Sequence, residues 1–157
     1  MNRTYGESFI TYDPRYQTLE IHESYTRQKD GNIVKTPDNA FVEVLPAAAA
    51  NAPAFNALRE MVVVHTGLEL GATVYLDYSI TSKPGYLPEI NVCRQLEQSS
   101  PVKEYEISIT VPQGQRLEYA LDNLKSKPLV TEKEGMKQVS WVLKNLPAPV
   151  SYTHLTL

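Results

Sequence analysis

The chain has 157 residues, 42% hydrophobic and 21% charged, with 18 acidic side chains against 15 basic ones for a net charge of −3. That is enough to fill one domain and too apolar for a disordered chain. Its longest aliphatic stretches, Met61 to Val64 and Ala47 to Ala50, fall far short of the ~20 residues a membrane span needs, and the acidic balance offers no basic surface for phosphates, so neither a span nor a nucleic-acid partner is expected.

Taken in chain order, the dominant rhythm is period two, which on a pleated strand sends alternate residues to opposite faces. Phe9 to Tyr12 predicts a first strand. In the next, Leu19, Ile21 and Tyr25 share an apolar face opposite Thr18, Glu20, His22 and Ser24, and Lys29-Asp30-Gly31-Asn32 turns the chain into Ile33-Val34-Lys35. Phe41 to Leu45 and Arg59 to His65 read as strands. Between them, Ala47 to Glu60 is interrupted by Pro53 and preceded by Pro46, which permits one short helical turn.

The clearest alternation runs from Ala72 to Thr81, with Ala72, Val74, Leu76, Tyr78 and Ile80 on one face. Lys83 to Pro101 reads as a long excursion with a helical turn at Val92 to Gln98. Tyr105, Ile107, Ile109 and Val111 then alternate with polar residues, Pro112-Gln113-Gly114 supplies turn chemistry, and Leu117, Tyr119 and Leu121 alternate again, predicting an antiparallel hairpin. Lys137 to Leu143 ends the series with Val139, Trp141 and Leu143 inward. Seven or eight short strands punctuated by turns predict an all-β fold, an antiparallel β-sandwich.

Chemistry is scarce in this pattern. One cysteine, Cys93, excludes an internal disulfide framework and a multi-cysteine zinc site. The one histidine after it, His154, is followed by Leu155, Thr156 and Leu157, so no acid comes later to orient it and the order Cys, His, Asp fails. Glu20 and His22 could face one way on a strand, but two ligands do not make a metal site. His65 closes an apolar strand, where backbone hydrogen bonding is the ordinary role. No phosphate-cradling glycine loop precedes a helix, and no cofactor is expected.

Ten tyrosines are the one compositional excess. Tyr25, Tyr78, Tyr105 and Tyr119 fall on apolar strand faces and are expected in the core. Tyr12, Tyr16 and Tyr86 lie near turns and are the candidate binding residues, since a ring with a polar tip suits glycan or peptide recognition. A free-standing glycan- or peptide-binding module is therefore one functional expectation.

Four segments carry a family resemblance: YGESFITYD from Tyr5 to Asp13, YTRQKDGNIVKTPDNAFVEVLP from Tyr25 to Pro46, Asn51 to Gly85, and SSPVKEYEISITVPQG from Ser99 to Gly114. The most specific part runs from His65 to Tyr78, where Gly67, Glu69 and Gly71 form a turn before an alternating strand that reaches Tyr78. The chain resembles the domain-of-unknown-function family that stands immediately N-terminal to a transglutaminase-like (papain-like) domain in Bacteroides-type envelope proteins. The resemblance implies a non-catalytic accessory module that packs against that domain of the same parent protein and helps present substrate. It also implies a periplasmic or cell-envelope location, although no signal peptide is visible here.

Members of that family carry a further hairpin ahead of the position of Tyr5, so residues 1–147 are expected to form a sandwich that lacks its first hairpin and leaves a sheet edge open. Residues 148–157 fit no strand continuation and read as a non-native tail of the kind left by translated adapter sequence.

Overall fold

The computed structural model describes residues 6–86, 91–94, 96, 100–122 and 126–148. The chain is all-β and its nine strands among the described residues lie in three antiparallel sheets, in keeping with the sandwich that the alternation predicts. It divides into two compact units, Met1–Ile90 and Asn91–Leu157.

The first unit holds two three-stranded sheets. One joins β1 (Glu7–Tyr12), β4 (Phe41–Val44) and β5 (Arg59–Val64), with β5 in the centre. Its register sets Ile10 beside Met61, Ser8 beside Val63, and Phe41 on the other side of Val63, so these residues share a face. That face is the inner one: Ile10 and Val63 are buried, whereas Phe9 and Val42, paired with Val62 on the opposite face, are exposed.

The other sheet has β2 (Gln17–Arg27) between β3 (Ile33–Lys35) and β6 (Thr73–Ser82). Its register runs from Gln17 opposite Ser82 to Ile21 opposite Tyr78, then resumes with Glu23 opposite Asp77, leaving His22 as an extra residue. A bulge of this kind exchanges the faces of every residue beyond it. Tyr25, expected inside with Leu19 and Ile21, therefore shares the outer face with Tyr75, and Thr26 turns inward beside Val74, where it is wholly buried. Tyr78 keeps to the apolar face as expected but is 43% exposed.

The helical turn expected between Ala47 and Glu60 is present as two short 3-10 turns, Ala47–Ala49 and Pro53–Phe55. In the Val92 to Gln98 stretch, Gln95, Glu97 and Gln98 lie outside the described residues, and the described ones carry no helix.

The second unit contains β7 (Val102–Pro112), β8 (Leu129–Lys133) and β9 (Met136–Leu146), with β9 central. Here the expected hairpin is corrected. Pro112-Gln113-Gly114 does turn, with Gln115 N–H donating to the Pro112 carbonyl at 2.9 Å, but Arg116 to Asp122 is not a strand and the partner of β7 is β9. Alternation marks a strand without naming its neighbour. β9 brings Val139, Trp141 and Leu143, each at most 6% exposed, opposite Ile109, Ile107 and Tyr105. Tyr119 instead packs edge-on against Trp141, with centroids 5.0 Å apart.

β8 shows no apolar face in its sequence because all five of its residues are exposed. Its turn did leave a signal. Glu134 and Gly135, both at positive φ (53° and 76°), form the two-residue connection that a right-twisted hairpin favours.

Candidate functional site

The turn from β1 to β2 builds one neighbourhood. Asp13 is buried; its Oδ1 accepts from the Arg15 backbone N–H and from Arg15 Nε, both at 3.0 Å, and its Oδ2 accepts from Arg15 Nη2 at 2.7 Å. These hydrogen bonds from Arg15 hold the Asp13 carboxyl below its usual range. The Asp13 carbonyl receives the N–H groups of Tyr16 and Gln17, so this short loop is rigidly held.

Lys83 then closes on it. Its backbone N–H donates to the Tyr16 carbonyl at 2.8 Å and its Nζ to the Arg15 carbonyl at 2.6 Å. The Tyr86 N–H donates to the Lys83 carbonyl, and the Tyr86 ring stacks on Tyr16 with centroids 4.7 Å apart and planes 10° from parallel. The Arg15 guanidinium lies over the Tyr16 ring at 5.2 Å. Two of the three candidate binding tyrosines are thus brought together.

Tyr12 is not part of that stack. It is buried, and its hydroxyl donates to Glu43, whose carboxylate also lies 3.5 Å from Arg59 Nε. Burial first, and then the Glu43 carboxylate, push the Tyr12 hydroxyl up to about 12. The ring pins β1 to β4 across β5.

The residues of the Gly67 to Tyr78 phrase do structural work. Glu69 Oε1 accepts from the Lys29 N–H at 2.7 Å, tying the β5–β6 connection to the β2–β3 turn. Gly67 and Gly71 both adopt positive φ, 74° and 89°. A Cβ at Gly67 would come within 2.8 Å of Val34 Cγ2, whereas one at Gly71 would find its nearest neighbour, the Lys29 side chain, at 3.7 Å. Tyr78 lies across from Ile21 on the apolar face.

Among the described residues the histidines and the cysteine form no catalytic set. His65 is 5% exposed and its Nε2 lies 2.9 Å from Ser8 Oγ, a side-chain partner where sequence reading expected backbone; its Nδ1 is buried without a partner, and burial lowers its pKa. His22 reaches Ser79 Oγ at 3.0 Å and stands 3.9 Å from Glu20 Oε1. Cys93 is exposed with a free thiol, and His154 lies outside the described residues. No group of three metal-ligating side chains occurs among the described residues, nor a helix long and apolar enough to cross a membrane.

One concavity was invisible in the sequence. A groove of about 540 Å³ runs beside β2, lined by Ile21, His22, Glu23 and Tyr25 on one side and by Phe41 and Met61 of the neighbouring sheet on the other. The bulge and the early end of β3 create it. The available signal was the shortness of Ile33-Val34-Lys35, followed at once by Thr36-Pro37.

Against known proteins, one solved structure matches throughout, with a TM-score of 0.92 at 60% sequence identity over 96% of this chain: a protein from Parabacteroides distasonis described as a "putative protease". The chain spans about 30% of the length of that protein. No curated protein matches. A family model described as a domain of unknown function with a solved structure, DUF3857, matches residues 2–150, and the chain belongs to that family.

Proposed function

We propose that the chain is a non-catalytic accessory module of a protease-like protein, which packs against a transglutaminase-like (papain-like) catalytic domain of the same polypeptide in the cell envelope and helps present substrate to it. The observation that carries this reading is the 60% identity over nearly the whole chain to a protein described as a "putative protease", of which this chain matches only 30%. The remainder of such a protein is where the chemistry would reside.

The test compares a full-length parent with a version lacking this module. Deletion should raise KM for a polypeptide substrate several-fold and leave kcat for a small peptide ester unchanged, while the isolated chain hydrolyses neither. Amide hydrolysis by the isolated chain that disappears in Cys93→Ala would reject the reading. A free-standing glycan or peptide binder remains the alternative, and it would have to rely on Tyr16 and Tyr86, since the Tyr12 ring is buried and its hydroxyl engaged.

A further inference from the structure

β2 is the central strand of its sheet, yet one of its edges is only partly covered. β3 pairs with Tyr25, Thr26 and Arg27, and Thr36 N–H adds one more hydrogen bond to the Ser24 carbonyl at 3.1 Å. Pro37, which has no N–H to give, then leads into the Asp38–Ala40 turn, and the chain passes to the other sheet. Among the described residues no strand pairs with Gln17 to Glu23 on that edge. An uncovered run of backbone donors and acceptors is a template for another strand.

The surroundings of this edge say what kind of strand would fit. On its inner side lie Ile21, Phe41 and Met61, which line the groove. On its outer face lie Glu20 and Glu23, of which Glu23 also borders the groove and sits in register with Asp77. Among the described residues neither Glu23 nor Asp77 has a cation within ion-pair distance. Like charges directly opposed across a ladder are unfavourable, and the Asp77 carboxylate first, then burial and the Glu23 carboxylate, raise the pKa of nearby Tyr75. A strand added here would send alternate side chains into these two unlike environments.

We infer that the open edge of β2 receives an extended polypeptide whose apolar and basic residues alternate, the apolar ones entering the groove at Phe41 and Met61 and the basic ones meeting Glu20 and Glu23. The inference rests on the reading of the chain as a substrate-presenting module and names the substrate class: unfolded or extended polypeptide, held by main-chain hydrogen bonds with side-chain selectivity. Lys35, at the β3 end of the groove, disfavours a basic residue beside it.

The probe is an acetylated, amidated heptapeptide alternating lysine and valine, titrated into the ¹⁵N-labelled full chain. Amide shifts should concentrate on Gln17 to Ser24, and N-methylation of alternate peptide amides should weaken binding at least about tenfold by removing the ladder hydrogen bonds. Exposed Glu23→Lys should weaken the lysine–valine probe about fivefold at low salt, and Lys35→Glu should strengthen it, both variants keeping the native spectrum elsewhere. Undiminished binding of the N-methylated peptide, shifts centred on the outer edge of β6, or no shifts at millimolar peptide would overturn the inference. A null result here together with the KM effect of deleting the module from the parent would reject strand addition alone; loss of both would reject the accessory reading as well.

Discussion

Tyr25 and Tyr75 face each other across the β2–β6 ladder, their ring centroids 4.8 Å apart and their planes 15° from parallel. The pair exists because His22 is bulged out of the ladder: were it to take its own place in a regular alternation, Leu19, Ile21 and Tyr25 would all fall inside. A stacked pair contributes about 0.5–1.5 kcal/mol beyond its buried area, and these rings are partly exposed, so the lower half of that range applies. A double-mutant cycle with Tyr25→Leu and Tyr75→Leu, read by urea unfolding, should give a coupling of about 0.5–1 kcal/mol. A coupling of zero would mean that the rings do not meet.

Thr26 takes the inward position that Tyr25 gives up. It is wholly buried between Val34 and Val74 in register, and its Oγ1 has no hydrogen-bond partner. A buried hydroxyl without a partner costs about 1–3 kcal/mol, and valine has nearly the same shape without that cost. Thr26→Val should therefore stabilise the protein by about 1 kcal/mol, seen as a higher urea midpoint at an unchanged m-value. Destabilisation would show that the hydroxyl is satisfied in solution.

Eight of the nine strands were legible because period two is a local property: Leu19 and Ile21, or Val139, Trp141 and Leu143, declare their face without reference to any partner. What was not legible is relational. The order Ile21-His22-Glu23-Ser24-Tyr25 reads equally well as a regular strand, and only the ladder to β6 reveals the extra residue. The choice of β9 over Leu117 to Leu121 as the partner of β7 depends on competing burial that no single segment encodes. Tyr16 and Tyr86 were each visible as turn tyrosines, but their stacking depends on Lys83 docking its backbone onto Tyr16, and the groove at β2 depends on where β3 stops.

Gly67 and Gly71 separate two reasons for glycine. Both hold positive φ, which costs a residue with a Cβ about 1 kcal/mol or more. At Gly71 that is the whole penalty, since the added carbon would meet only the flexible Lys29 side chain at 3.7 Å. At Gly67 the carbon would overlap Val34, a strand residue of β3, at 2.8 Å. Gly71→Ala should cost about 1 kcal/mol and Gly67→Ala about 2–3 kcal/mol, because overpacking adds to the strain. Thermal unfolding of the two variants side by side should show the larger loss at Gly67, and equal losses would remove the close approach from the explanation.

His65 ties the stability of the first unit to pH. It is buried at the end of β5 with one ring nitrogen facing Ser8 and the other unpartnered, and burial lowers its pKa below the ordinary value near 6.5. The unfolded chain then binds a proton at a higher pH than the folded one. The stabilising contribution of neutral His65 is present above about pH 6.5 and is lost as pH falls from there through the folded-state value. Asp13 acts in a different window: its carboxyl is lowered by Arg15, so its contribution fades only in acid, below the ordinary carboxylate range of about 4. Between pH 7.5 and 5 the urea midpoint of the native sequence should fall, and His65→Gln, which cannot titrate, should flatten that fall while leaving the acid limb due to Asp13 in place. An unaltered slope in His65→Gln would assign the proton uptake to a group other than this imidazole.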